Sequence, residues 1–445
     1  MIQLQILKKP QFKFHNGKSA NKYGMASLIP YEQPILNDFA VISLKDHNIR
    51  TGIDDIQNFF SITNKNFPFN GTPANNFEYF FPKKLNFTYE DINEDDLPDY
   101  IKNYQGKIIL VIHGEKNDHV IHDSKVNDKI YYDTKINAII NNSRIQFIDY
   151  KHLISNDNYQ KYNIMVQLTA KCNGTPWIVD NSNVQFTDND TLIVGITFSK
   201  LNNKLTYGVA HFMDANNMVQ EIILQRISRD VEEKYLYLNY NELSTILKNG
   251  VNWFNKTLNP ERNNLKIFIY KSTPLHETEL KAINNIIDNS KILGYDSIDI
   301  THIHLKSDNF GIPRIYDTNN IGTAYQYMAS QGTCIEIIPG NLNHKNFDFR
   351  GDIIVSTTGM YKKTYGYGGT FGTPKPLFVA VHSSTDNPIK TIENQIMAMT
   401  NMDWEFTGSN YRKPFIMKYA TRMAKLLNYN DFSGVRDTLD IRDLL

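Results

Sequence analysis

Lys418, Arg422 and Lys425 stand four and three residues apart. On a helix that spacing puts three cations on one face. Such a row can follow a phosphate backbone; an ordinary solvated helix face is the alternative. Tyr131 and Lys135, also four apart, share a helix face and can point at one anion. An ammonium suits a phosphate, and a nearby helix N-terminus adds positive potential; ordinary surface lysines are the alternative. His113, His119, His122 and Asp123 lie close together, but their spacing matches no tight zinc pattern. His302 and His304 alternate along a predicted strand and share one face, in the core or towards nucleic acid. The Gly-rich stretch 366–372 (GYGGTFG) lacks the Gly-Lys-Ser/Thr of a nucleotide-binding P-loop and reads as a tight loop. Cys172 lacks a His–acid pairing and reads as a structural thiol.

These residues need elements to hold them. Residues 1–105 are irregular, with a strand at 39–44 and an acidic stretch, 89–99 (YEDINEDDLPD), that reads as a solvated loop and helix start. From 107 the rhythm becomes α/β. The run 107–113 (KIILVIH) predicts a buried parallel strand, 131–142 a helix, 145–148 a second strand, and 159–171 an amphipathic helix ended by Asn173-Gly174. This order predicts a Rossmann-like domain over 1–175. Over 176–445, strands at 191–198, 204–213 and 219–228 joined by short turns predict antiparallel pairing. A helix at 240–256, a strand at 265–270, a helix at 276–290 and a strand at 297–305 follow. Later strands fit 333–338, 352–356 and 376–382, and helices fit 390–401 and 414–427. Three antiparallel strands, a crossover helix and a parallel strand form the order of an RNase H-like fold. The fold class expected is α/β.

Composition narrows the class. The chain has 445 residues, 41% hydrophobic and 21% charged, enough apolar side chain for two or three globular cores. Lys+Arg and Asp+Glu are both 47, so the net charge is zero and says little about partners. Two cysteines far apart imply no disulfide framework. No run of about 18 apolar residues predicts a membrane span, and residues 1–10 lack a signal-peptide core. The expected location is the cytoplasm.

Four strings in order carry a family resemblance: 167–177 (QLTAKCNGTPW), 193–199 (IVGITFS), 371–377 (FGTPKPL) and 414–424 (PFIMKYATRMA). Together with the domain order they resemble the short prokaryotic Argonautes, which have only MID and PIWI domains. The resemblance spans roughly 105–427. It implies a MID domain with an N-terminal extension over 1–175 and a PIWI domain over 176–445. It also implies a pocket for the 5′ phosphate of a guide, built here from Tyr131, Lys135, Gln146 and Lys171. In the family picture Gln146 and the carboxylate of Leu445 hold a Mg²⁺.

The same alignment places Thr197, Ser272 and Thr421 where cutting members keep their acids. Two-metal cleavage of a phosphodiester needs anionic oxygen ligands, which hydroxyls do not supply. The expectation is therefore a sensor that holds a guide RNA and a complementary single-stranded DNA target without cutting. The resemblance implies that signalling falls to a partner subunit bearing an APAZ domain, fused to a TIR or sirtuin-like NAD⁺-consuming domain or to a nuclease, in defence against plasmids or phages. A catalytically active guided nuclease and an adaptor that binds no nucleic acid are the alternatives.

Overall fold

The structure is a computed structural model that describes residues 2–8, 10–19, 22, 29–36, 38–45, 56, 59, 85–114, 126–154, 158–180, 190–202, 204–214, 220–230, 236–258, 263–306, 331–338, 348–357, 376–385, 388–405, 413–429 and 434–445. His119, His122, Asp123 and the loop 366–372 lie outside these. The chain forms two compact units, neither continuous in sequence. One holds residues 12–178, 404–407 and 426–445; the other holds 1–11, 179–403 and 408–425.

The first unit is built on a parallel sheet of four strands. Their order across the sheet is Asn86–Ile92, Asp38–Leu44, Ile108–His113 and Arg144–Asp149. Numbered along the chain this is 2-1-3-4, the doubly wound pattern of a Rossmann-like domain. Ile108–His113 is central and its residues from 108 to 112 are all buried, as a continuous apolar run in a parallel sheet requires. Helix Asp128–Ile140 starts on Asn127, whose side chain accepts from the Lys129 N–H. Helix Asn158–Lys171 ends at Asn173, whose φ is 64°, an αL conformation that Asn tolerates. The acidic stretch 89–99 differs from its expected loop. Its first part lies in the edge strand Asn86–Ile92, paired in register with Asp38–Leu44. An edge strand tolerates exposed acids, which hid it from a search for apolar runs. Its second part is helical, at Glu94–Asp96 and Leu97–Tyr100.

The second unit contains one long mixed sheet. Its described strands run in the order Ile2–Ile6, Thr333–Ile337, Asp348–Val355, Leu377–Ser383, Ser297–Leu305, Asn264–Lys271, Thr191–Leu201, Lys204–Asp214 and Gln220–Asp230. Asn264–Lys271 is parallel to both neighbours, and the three strands from 191 to 230 are antiparallel hairpins. One face packs on helices Tyr240–Leu258 and Glu277–Asp288 through Val194, Ile196, Ile267, Ile269, Ile300 and their neighbours. The other face receives helices Ile389–Met399 and Phe415–Leu427: Tyr270 donates its hydroxyl to Gln395 at 2.8 Å, and Gly195 lies against the Ile416 backbone. This is an RNase H-like arrangement. No helix among the described residues is long and apolar enough to cross a membrane.

Candidate nucleic-acid interface

Tyr131 and Lys135 lie one turn apart on Asp128–Ile140, with the Lys135 ammonium 5.9 Å from the Tyr131 ring centre. The Tyr131 ring packs on Phe147, centroids 4.8 Å apart. Lys135 is only 3% exposed, and its Nζ donates to the main-chain oxygen of Leu445 at 2.8 Å. Gln146 is a buried residue of Arg144–Asp149, the strand paired with the central Ile108–His113. Lys171 ends helix Asn158–Lys171 and is 1% exposed. Its Nζ donates to Gln146 Oε1 at 2.5 Å and to the Ile145 carbonyl at 2.9 Å. Of the five residues assigned by resemblance, four form two bonded pairs, Lys135 with Leu445 and Lys171 with Gln146, and Tyr131 packs beside Lys135.

Arg144 joins those pairs, and sequence reasoning missed it. Its Nη1 donates to the Lys171 carbonyl at 2.7 Å and also to Asn173 Oδ1. Its Nε donates to Asp443 Oδ1 at 2.9 Å. Asp443 belongs to the turn Ile441–Asp443, immediately before the buried Leu444 and Leu445. Burial raises the Asp443 carboxyl above its usual range, opposed by the Arg144 guanidinium. The local sequence around Arg144 carries no signal of this role, because its carboxylate partners lie some 300 residues away. The nearby Cys172 is fully buried, and burial pushes its thiol up to about 12, which suits an unreactive structural group.

In the second unit, Thr197 is half-buried in Thr191–Leu201, and Ser272 is exposed immediately after Asn264–Lys271. The parallel register pairs Tyr270 with Gly195 and ends at Lys271 with Ile196, one residue before Ser272 and Thr197. Gly195 faces the Phe415–Leu427 helix. Side chains two residues on along a strand point the same way, so Thr197 shares that face. Thr421 is exposed on the helix, its hydroxyl donating to the Met417 carbonyl at 2.7 Å, a common helical back-bond. Beside Ser272, Lys271 is buried and ion-paired to Glu279 at 2.5 Å. No cluster of three or more His, Cys, Asp or Glu with metal-holding geometry exists among the described residues.

The basic stripe is uneven. Lys418 is ion-paired at 2.6 Å with Asp403, a buried carboxylate that also accepts from the Tyr419 hydroxyl at 2.8 Å. Arg422 is half-buried and Lys425 exposed. Helical spacing alone could not reveal that the Lys418 partner lies fifteen residues upstream. His302 is fully buried with neither ring nitrogen hydrogen-bonded, and burial holds it well below the usual imidazole range. It is a neutral core residue, its ring centre 5.9 Å from that of His382.

No protein-family model matches the chain, and no curated protein matches it. Among solved structures it is similar to the Argonaute of Clostridium butyricum bound to a guide DNA (5′ deoxycytidine) and a 19-mer target DNA. The TM-score is 0.69 at 15% identity, over 99% of this chain and 55% of that one. The chain therefore spans about half the length of that structure. The fold is Argonaute-like.

Proposed function

We propose that this protein is a guide-dependent nucleic-acid sensor that does not cut its target. The observation that carries the reading is the seating of Lys171: an ammonium 1% exposed, bonded to the Ile145 carbonyl and to Gln146 Oε1, in the same unit as Lys135. A phosphate arriving there would find cations already oriented and stripped of water. The Argonaute-like fold supports the same assignment, since the similar structure holds a guide and a target.

In this reading Tyr131, Lys135, Gln146 and Lys171 receive the 5′ phosphate of a small guide RNA. The target, a complementary single-stranded DNA, is read by base pairing, while the protein holds the duplex by its backbone. Lys425, exposed on its helix, is a cation placed for such contacts, whereas Lys418 is committed to Asp403. Gln146 Oε1 and the Leu445 oxygen are hard donors of the kind Mg²⁺ takes, and each keeps a lone pair beyond its lysine bond. In this reading they would hold a Mg²⁺, which would neutralise phosphate charge.

Thr197, Ser272 and Thr421 offer no anionic ligand, so the RNase H-like unit would bind without cleaving. Target recognition would then act through a separate APAZ-domain effector, TIR or sirtuin-like, whose NAD⁺ consumption provides defence. That part rests on the family resemblance alone.

The test compares labelled guides with a 5′ phosphate and a 5′ hydroxyl, as RNA and as DNA, with Mg²⁺ and with EDTA. The expected result is tight binding dependent on the phosphate and Mg²⁺, and an intact matched target in Mg²⁺ or Mn²⁺. Binding indifferent to the 5′ group refutes the pocket. Guide-directed cleavage of the matched target by the wild-type protein, lost when Thr197, Ser272 and Thr421 are changed to Ala, refutes the non-cutting half of the proposal.

A further inference from the structure

Two lysines of the candidate pocket reach it by different routes, and one side chain stabilises both. Lys171 depends on the end of its helix, where carbonyls lack intrahelical partners. Arg144 takes that role, donating Nη1 to the Lys171 carbonyl at 2.7 Å and to Asn173 Oδ1. Lys135 depends on residues 438–445, because its Nζ bonds the Leu445 oxygen. Arg144 holds that segment too, through Asp443 at 2.9 Å and Asp440 at 3.4 Å. Asp440 in turn accepts from the Arg442 N–H at 2.8 Å and starts the turn Ile441–Asp443. Leu439, Ile441, Leu444 and Leu445 are buried, so the segment is seated rather than draped. Arg436 is the other cation facing Asp443, at 3.7 Å, and is half exposed. A guanidinium is suited to this position: its planar fork bonds in several directions at once, as an ammonium cannot.

We propose that Arg144 is a positioning residue that seats residues 438–445 and the end of the 158–171 helix together, so that loading of a 5′-phosphorylated guide requires the docked tail. This rests on the guide-pocket reading above. Arg144 touches no phosphate in this scheme. It sets the two lysines at once, so that Lys135 and Lys171 are competent together or not at all.

The test uses the full chain with Arg144→Ala, Arg144→Lys and Asp443→Asn beside wild type. Hydrogen exchange reports on 438–445, and equilibrium binding gives the affinity ratio of 5′-phosphate to 5′-hydroxyl RNA guides. For Arg144→Ala the expected result is lost protection over 438–445 and a phosphate preference at least tenfold smaller, with hydroxyl-guide binding little changed. Arg144→Lys, which keeps the charge without the fork, should be intermediate, and Asp443→Asn should move both readouts the same way. These two variants carry the test if Arg144→Ala does not fold. A released tail with unchanged preference, or a lost preference with the tail still protected, overturns the coupling. A wild type without phosphate preference overturns the pocket itself and the loading half of this proposal. The exchange pattern of Arg144→Ala then still decides whether Arg144 seats the tail.

Discussion

Lys171→Met isolates the charge of the candidate pocket, because methionine keeps most of the apolar stem and removes the ammonium. In the free protein the change leaves the Ile145 carbonyl and Gln146 Oε1 without the donor they now have at 2.9 and 2.5 Å. An acceptor left buried without a donor costs about 1–3 kcal/mol. Removal of a buried cation gives back part of that, since its own desolvation is relieved. The net fall in stability should therefore sit at the low end, about 1 kcal/mol. Guide binding loses more. A charge-assisted contact to a phosphate contributes about 1.5–3 kcal/mol, which is roughly 10- to 150-fold in affinity at 1.4 kcal/mol per decade. A 5′-hydroxyl guide makes no such contact, so its affinity should change by less than about threefold, within the scatter of a neutral hydrogen bond. The assay is fluorescence anisotropy with both guides at a temperature well below the unfolding midpoint of the variant, which thermal melting supplies. Equal losses for the two guides refute the reasoning, because they place Lys171 away from the 5′ end.

Other perturbations probe the scaffold that positions the site. Gly195→Ala puts a Cβ 2.7 Å from the Ile416 carbonyl oxygen, a backbone contact that cannot rotate away. It should cost about 1–3 kcal/mol in chemical denaturation, and an unchanged midpoint would contradict the packing of Phe415–Leu427 on the sheet. Lys271→Met strands the buried Glu279, which keeps backbone donors at Leu238 and His276. The loss should be about 3 kcal/mol, largely recovered in the double variant with Glu279→Leu; a single variant as stable as wild type would show the pair is not buried in solution. His211 is fully buried, and burial lowers it to about 4 although the Ile416 carbonyl and Gln220 hold its ring. A depressed folded value means the contribution is present above about 6.5 and is lost as pH falls towards about 4. That window allows about 3 kcal/mol of acid destabilisation, and His211→Gln should flatten the stability–pH profile between those limits. A profile identical to wild type would refute the assignment.

Local pattern determined much of this protein. A continuous apolar run marked Ile108–His113 as a buried strand, and apolar residues at helical spacing marked the helix that follows it. Hydrophobic periodicity is a property of residues a few positions apart, so it can be read without the fold. Thr197 and Ser272 came instead from the family alignment; Thr197 lies in Thr191–Leu201 and Ser272 directly follows Asn264–Lys271. Tertiary structure alone decided which distant segments meet. Ile2–Ile6 pairs with Thr333–Ile337, and nothing in a short apolar segment names its partner. The acids in Asn86–Ile92 concealed an edge strand, because exposure on the edge removes the apolar alternation by which strands are recognised. Lys418 looked free on a helix face until Asp403 was placed beneath it. Arg144 was invisible for the same reason. Its worth lies in carboxylates and carbonyls brought to it from residues 171, 440 and 443. Charge and hydrogen-bond partners act over a few ångströms of space, whatever their separation along the chain, so only the folded chain reveals them.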